Sequence, residues 1–244
     1  MTMRSDWPIG YFIGERGPQI DNAILAAFRQ LPVPNIGDSM GRSVGALGLT
    51  AYHNDPQLVL CGPALTVKVR PGDNLMIHKA IELAQPGDVI VVDGSGDLTQ
   101  ALIGGLMRTS AIAKKIAGFV IDGAVRDLNE WAEGGVAVWA RGNTLRGPSK
   151  DGPGEVNTTV HCAGLVISPG DLIVADADGV IAIPHDELSV LLPRVQQHAQ
   201  REEKIRASNL AGTNDPERFN AILRCQRLSC LKAPESFRLQ PTPL

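Results

Sequence analysis

The sequence predicts an α/β fold, and three observations carry that reading. Residues 58–142 alternate apolar, strand-like runs with segments of helical periodicity, the signature of a mainly parallel sheet with helices packed on it. The strand-like runs, such as "DVIVVDG" (88–94) and "GFVIDG" (118–123), are nearly continuous in valine and isoleucine, as strands buried on both faces are. The next stretch, "GLVISPGDLIVADADGVIAIP", changes character: its apolar runs are short and separated by Pro169-Gly170 and Asp178-Gly179, both turn signals, so it reads as antiparallel β structure.

Taken in order, "IDNAILAAFRQ" (20–30) places Ile20, Ala23, Ile24, Ala27 and Phe28 on one helical face. "LPVPNIGDSMGRSVGALG" has two prolines and several glycines and reads as loop with a short helix at most. "LVLCGPALTVKV" (58–69) is a strand. Asp73 or Asn74 then caps a helix whose face is Ile77, Ala80, Ile81 and Ala84, ended by Pro86-Gly87. After the strand at 88–94, residues 97–117 read as a helix capped by Asp97, with Leu98, Ala101, Leu102 and Gly105 on one side. The strand at 118–123 is followed by a short helix in "RDLNEWAEGG" and a strand at 136–142. "DELSVLLPRVQQHAQREEKIRAS" is a long helix, expected to bend at Pro193. From Asn209 the chain is polar and weakly periodic, so residues 1–208 are read as one domain and 209–244 as an extension, partly disordered or packed on a neighbouring subunit. "PGD" occurs at 71, 86 and 169, each read as a loop that leads into a strand or helix.

Composition narrows the function. The 244 residues are 43% hydrophobic and 20% charged, with net charge −3 and no lysine/arginine block, so a nucleic-acid partner is not expected. No apolar run reaches the ~18 residues of a membrane span, so no membrane partner is expected either. Cys61, Cys162, Cys225 and Cys230 form no C-x-x-C pair, and "MTMRSDWPIG" lacks the apolar core of a leader, which together read as a reducing, cytoplasmic setting.

Three places could carry chemistry. "VVDGSGDLT" (91–99) is glycine-rich, but it departs from the dinucleotide fingerprint at Thr99 and reads as a tight turn with Asp97 as helix cap. Gly104 and Gly105 lie inside a helical pattern, where each costs about 1 kcal/mol relative to alanine. Either close packing requires them, or the helix starts here and "GGLM" offers free N–H groups to a ligand oxygen. In "IDGAVRDLNE", Arg126 and Asp127 follow a buried strand. An arginine fork suits a carboxylate and an aspartate suits magnesium or manganese, in the crevice where open α/β sheets bind ligands. The alternative is that Asp127 only caps the short helix and Arg126 is solvated; the residues alone leave both open. His78 reads as a packing or surface residue, and Glu202 and Glu203 as a solvated face.

The ordered set "GPALTVKVRPGDNLMIHKAIELAQPGDVIVVDGSGDLTQALIGGLM", "AGFVIDGAVRD" and "GDLIVADADGVIAIP" resembles the RraA-like family over about residues 20–210. The resemblance implies a single α/β domain with a β/β/α layered core and a long C-terminal helix, assembled as homotrimers or homohexamers with active sites between subunits. It implies a lyase that cleaves a 4-hydroxy-2-oxo acid, such as 4-hydroxy-4-methyl-2-oxoglutarate or 4-carboxy-4-hydroxy-2-oxoadipate, to pyruvate and a second oxo acid. It also implies oxaloacetate decarboxylation and a need for Mg2+ or Mn2+. Carried over by motif, Arg126 would hold the pyruvate carboxylate, Asp127 the metal, and the amides of Gly104, Gly105, Leu106 and Met107 the pyruvyl oxygens. Glu202 would reach a neighbouring subunit's metal site, with Glu203 as the second choice. One position departs: Gly105 stands where the family's aldolases have an acidic residue. The family also contains a non-catalytic regulator that binds ribonuclease E, in which the "VR" element is not followed by aspartate. A methyltransferase reading lacks an adenosyl-cofactor loop.

Overall fold

Valine- and isoleucine-rich runs become the strands of one twisted sheet because both of their faces find apolar cover. The structure, a computed structural model, describes residues 10–213, 215 and 217–225. In chain order the elements are β1 (Tyr11–Ile13), α1 (Asn22–Phe28), α2 (Val33–Ser39), β2 (Thr50–Ala51), β3 (Leu60–Val69), α3 (Leu75–Leu83), β4 (Val89–Ile103), α4 (Gly105–Ala113), β5 (Gly118–Val125), α5 (Leu128–Ala132), β6 (Ala137–Asn143), β7 (Gly154–Val156), β8 (Val160–Cys162), β9 (Leu165–Ile167), β10 (Leu172–Asp176), β11 (Gly179–Ile183), α6 (Leu188–Leu210) and α7 (Glu217–Cys225). Contacts divide the chain into two units between Ala199 and Gln200.

In the first unit β3, β4, β5 and β6 are mutually parallel, with Leu65 opposite Ile90, Ile90 opposite Phe119 and Phe119 opposite Val138. One face of this sheet packs on α3, α4 and α5 through Met76, Ile77, Ala80, Met107, Ala111 and the fully buried Trp131. The other face packs through Val89, Val91, Val120 and Trp139 on the β8–β9 ribbon, whose Val160, Cys162 and Ile167 point inward. The antiparallel β10–β11 hairpin joins β3, and a third cluster sets it against α1, α2 and α6 through Phe28, Ile36, Val174, Ile181, Leu191 and Val195. The result is the layered β/β/α arrangement with a long C-terminal helix. α6 continues across Pro193. No described helix is long and apolar enough to cross a membrane.

The three Pro-Gly-Asp turns share one construction. Gly72, Gly87 and Gly170 take φ of +73°, +89° and +88°, which glycine adopts without a Cβ penalty. The aspartate that follows is buried in each case and accepts backbone N–H groups: Leu75 to Asp73, Gln85 to Asp88 and Ser168 to Asp171. Asp73, rather than Asn74, therefore caps α3.

One element differs from expectation. Residues 97–103 are not helix; β4 runs on to Ile103, with Asp97 opposite Gly123, Ala101 opposite Ala124 and Ile103 opposite Val125. The glycine-rich stretch at 94–96 is a bulged part of that strand rather than a strand–helix turn, with Ser95 and Gly96 at φ +57° and +69°. Asp97 caps no helix; its carboxylate accepts the Thr99 hydroxyl. Leu98, Ala101 and Leu102 have helical spacing, but pairing with β5 wins, because Ala101, Leu102 and Ile103 are all buried in the strand. In the extension, Glu217–Cys225 forms helix α7; residues 226–244, on which part of the expectation for the extension rests, lie outside the described residues.

Candidate active site

The parallel strands end together, and their connections to the following helices enclose a cleft of ≈ 110 Å³. It is lined by Ala101–Ile103 at the end of β4, by Gly104, Leu106 and Met107 at the start of α4, by the pair Arg126–Asp127 after β5, and by Asn74, His78, Pro148 and Lys150. That is the crevice at the carboxyl ends of the strands where α/β sheets bind ligands.

Arg126 and Asp127 are fixed from both sides. The Arg126 N–H donates to the Ile103 carbonyl at 3.1 Å, and its carbonyl accepts the indole N–H of Trp131 at 2.9 Å. Asp127 sits in the left-handed region (φ 62°, ψ 46°), a conformation that aspartate and asparagine tolerate better than most residues. It occupies the position before α5, yet its side chain makes no capping bond there. Its Oδ2 instead accepts the N–H of Gly105 at 2.8 Å, at the first residue of α4, and lies 3.7 Å from Arg126 Nε. The alternative in which Asp127 merely caps the helix after it is thus excluded. Arg126 and Asp127 are each about 40% exposed at the side chain (41% and 42%), so both can meet a ligand.

The double glycine marks a helix start, not a helix interior. Gly104 is extended and α4 begins at Gly105. A Cβ at Gly104 would lie 2.5 Å from Asp127 Oδ2 and 3.0 Å from Arg126 Cγ, so only glycine lets the backbone approach this pair. Gly104→Ala should therefore displace the Asp127 carboxylate and lower whatever turnover the cleft supports by about 10- to 100-fold, an effect of ~1.4–2.7 kcal/mol, while circular dichroism stays native. Of the four "GGLM" amides, Gly105 already donates to Asp127 and Met107 to the Gly104 carbonyl. The Gly104 and Leu106 amides have no partner among the described residues and remain for a ligand oxygen.

Gly105 has a specific neighbour. A Cβ there would lie 2.1 Å from Oε2 of Glu130, so the Glu130 carboxylate fills the space an acidic residue at 105 would need. Two carboxylates thus flank the start of α4 without one at 105. Sequence reasoning gave Glu130 and Lys150 no role, took Asn74 only as a possible helix cap and read His78 as a packing or surface residue, although Asn74, His78 and Lys150 line the cleft. Burial, then the charge of Lys150, holds the His78 imidazole below its ordinary pKa. Every residue lining the cleft belongs to the first unit; Glu202 is half-buried on the α6 segment that belongs to the second.

The donor set fits a small hard cation. Magnesium keeps several waters and takes one or two protein carboxylates, and Asp127 presents Oδ1 without a hydrogen bond among the described residues while Oδ2 is held in place.

The fold and cleft are those of an α/β protein whose charged side chains Arg126, Asp127 and Lys150 gather around one cleft at the strand ends. The chain belongs to the RraA-like family: the family profile described as Aldolase/RraA matches residues 33–182. Among its relatives, a putative 4-hydroxy-4-methyl-2-oxoglutarate aldolase from Halalkalibacterium halodurans is 39% identical over 190 residues, covering 78% of this chain and 90% of that protein. A 4-hydroxy-4-methyl-2-oxoglutarate aldolase from Thermus thermophilus is 38% identical over 112 residues, 46% of this chain and 68% of that one. Among solved structures, Streptomyces coelicolor RraAS2, described as an unusual member of the RNase ES inhibitor RraA protein family, superposes with a TM-score of 0.71 at 27% identity over 78% of this chain and 98% of that one.

Proposed function

We propose that this protein is a divalent-metal-dependent aldolase that cleaves a 4-hydroxy-2-oxo acid, such as 4-hydroxy-4-methyl-2-oxoglutarate or 4-carboxy-4-hydroxy-2-oxoadipate, to pyruvate and a second oxo acid. The observation that carries the reading is the placement of Asp127: a carboxylate turned away from its own helix and held between the first amide of α4 and Arg126 at the mouth of the cleft. The relatives named as aldolases support it.

Cleavage breaks the C3–C4 bond. The C4 hydroxyl loses its proton and becomes a carbonyl, the bond's electron pair moves onto C3 and into the 2-oxo oxygen as an enolate, and C3 then takes a proton to give pyruvate. Arg126 holds the carboxylate at C1 with a planar pair of N–H donors and adds positive potential beside the developing charge. The Gly104 and Leu106 amides, at the positive end of α4 and without a partner among the described residues, would donate to an oxygen of the substrate. Mg2+ or Mn2+ on Asp127, when bound, supplies Lewis-acid stabilisation of the enolate charge. Loss of carbon dioxide from oxaloacetate leaves the same enolate, so decarboxylation belongs to the same proposal.

The proposal includes the assembly and setting: a homotrimer or homohexamer in the cytoplasm, with Glu202 brought to a neighbour's site. Leu106 is 87% exposed beside the cleft and Leu145 88% on the loop leading to its wall, apolar surface that a second copy would cover. A regulator of ribonuclease E is the second reading, favoured by the likeness to RraAS2. A coupled pyruvate assay over a panel of 4-hydroxy-2-oxo acids and oxaloacetate decides between them. Turnover should cease in EDTA and return with Mg2+. Activity that persists in chelator removes the metal from the proposal, and no lyase activity with recovery of a ribonuclease on the immobilised protein reverses the choice.

A further inference from the structure

The loop 147–153 supplies part of the cleft, and it is fastened from three directions. Pro148 and Lys150 line the cleft, and a Cβ at Gly147 would lie 3.0 Å from Arg126 Nη1, so the same loop bounds the space for the guanidinium. Two of the fastenings come from elements that line the cleft themselves. On the β4 side, Gln100 Nε2 donates to the Gly147 carbonyl at 3.1 Å and the Ala101 N–H to the Arg146 carbonyl at 2.8 Å. On the α3 side, the buried Asp73 carboxylate accepts the Ser149 hydroxyl and the Asp151 N–H, both at 2.7 Å, and the Asn74 N–H donates to the Ser149 carbonyl at 3.1 Å. Burial alone would raise the pKa of Asp73, but its hydroxyl and backbone donors hold it below the usual carboxylate range, so this clamp is charged at neutral pH.

The third fastening comes from outside the cleft. Tyr11 opens β1, which pairs with β7 through Tyr11 opposite Gly154 and Ile13 opposite Val156. Its side chain packs against the core cluster that contains Met76 and Val156, and its hydroxyl donates to the carbonyl of Asp151, the residue after Lys150. The Tyr11 ring lies against Gly152, where a Cβ would overlap it; this glycine takes φ +66°, so space and backbone both require glycine there. Asp151 therefore has its N–H bound by Asp73 and its carbonyl by Tyr11. The N-terminal strap has a second pin away from the cleft: Arg16 donates two N–H groups to the buried Asp88 carboxylate at 2.8 and 2.5 Å.

We propose that Tyr11 is a positioning residue for the cleft: by gripping Asp151 and Gly152 from outside it sets the course of the loop 147–153, and so the places of Lys150 and the Arg126 guanidinium, without touching a ligand itself. Without Tyr11 the loop keeps its two inner fastenings but gains freedom around Asp151. A ligand must then order the loop as it binds, which weakens affinity more than it slows the chemical step. The inference rests on the aldolase reading only for the choice of pyruvate as ligand. Titration calorimetry of the full chain with Mg2+ should show pyruvate binding Tyr11→Ala about tenfold more weakly than wild type, and the coupled assay a matching rise in KM with kcat within about twofold. Tyr11→Phe, which keeps the ring on Gly152, should bind pyruvate within about threefold of wild type. The Ser149 and Asp151 amides, both hydrogen-bonded in the native loop, should exchange their hydrogens about tenfold faster in Tyr11→Ala, with those of β4 and β5 unchanged. Arg16→Gln, which opens the other pin of the strap, is the control for lost stability: it should lower the melting temperature and leave the pyruvate Kd as in wild type. Wild-type affinity in Tyr11→Ala, or an equal loss in Arg16→Gln, overturns the proposal. If the wild-type protein binds no pyruvate, the aldolase reading fails, and the exchange of Ser149 and Asp151 still decides the role of Tyr11: faster exchange upholds it and unchanged exchange overturns it.

Discussion

Asp127→Asn abolishes metal-dependent pyruvate release, with a fall in kcat/KM of about 10³-fold or more (~4 kcal/mol), and leaves the fold unchanged. The substitution isolates charge from geometry. Asparagine keeps a side-chain oxygen that can accept the Gly105 N–H now bonded to Asp127 Oδ2, so the start of α4 stays capped. It also tolerates the left-handed backbone at φ 62°, ψ 46°, where alanine would be strained by roughly 1–2 kcal/mol. What it lacks is the negative charge that faces Arg126 and that the proposed function assigns to a divalent cation. The measurements are the coupled pyruvate assay, a Mg2+ titration by calorimetry and a thermal melt. Unchanged turnover removes Asp127 from the chemistry. Lost turnover with a melting temperature lowered by many degrees would mean a structural defect instead.

The site was legible where chemistry is local in the chain and hidden where it is not. Arg126 and Asp127 are adjacent in sequence and follow an apolar strand, so their place at a strand end could be read directly. The glycines at 104–105 could be read as a helix start because their intrinsic cost in a helix interior demanded a reason. The full course of β4 could not be read. Leu98, Ala101 and Leu102 repeat at helical spacing, and only hydrogen bonding to β5, more than twenty residues away, holds them as strand. The rest of the lining was hidden for the same reason: Asn74 comes from the start of α3 and Lys150 from the loop after β6, and the Asp73 clamp that joins them spans 76 residues to Ser149. Glu130 escaped notice because the space it fills is defined by an absence, the missing side chain of Gly105.

Arg126→Lys should raise KM for every substrate with a pyruvyl end by about 10- to 100-fold, more than it lowers kcat. Lysine keeps the charge and most of the stem but loses the planar fork, and each charge-assisted hydrogen bond to a carboxylate is worth about 1.5–3 kcal/mol. The position itself will not move. The backbone of residue 126 is tied to Ile103 and to the indole of the fully buried Trp131, and neither bond involves the side chain. The guanidinium is also guided by close packing: a Cβ at Gly147 would lie 3.0 Å from Arg126 Nη1, so the loop after β6 leaves room for a flat group lying along it. A tetrahedral ammonium in that slot can offer its charge but not two parallel N–H groups in the plane of a carboxylate. The readout is the split between KM and kcat over pyruvyl substrates. A variant with wild-type KM would show that the carboxylate is held elsewhere, whereas a fall in kcat alone would place Arg126 at the developing enolate instead.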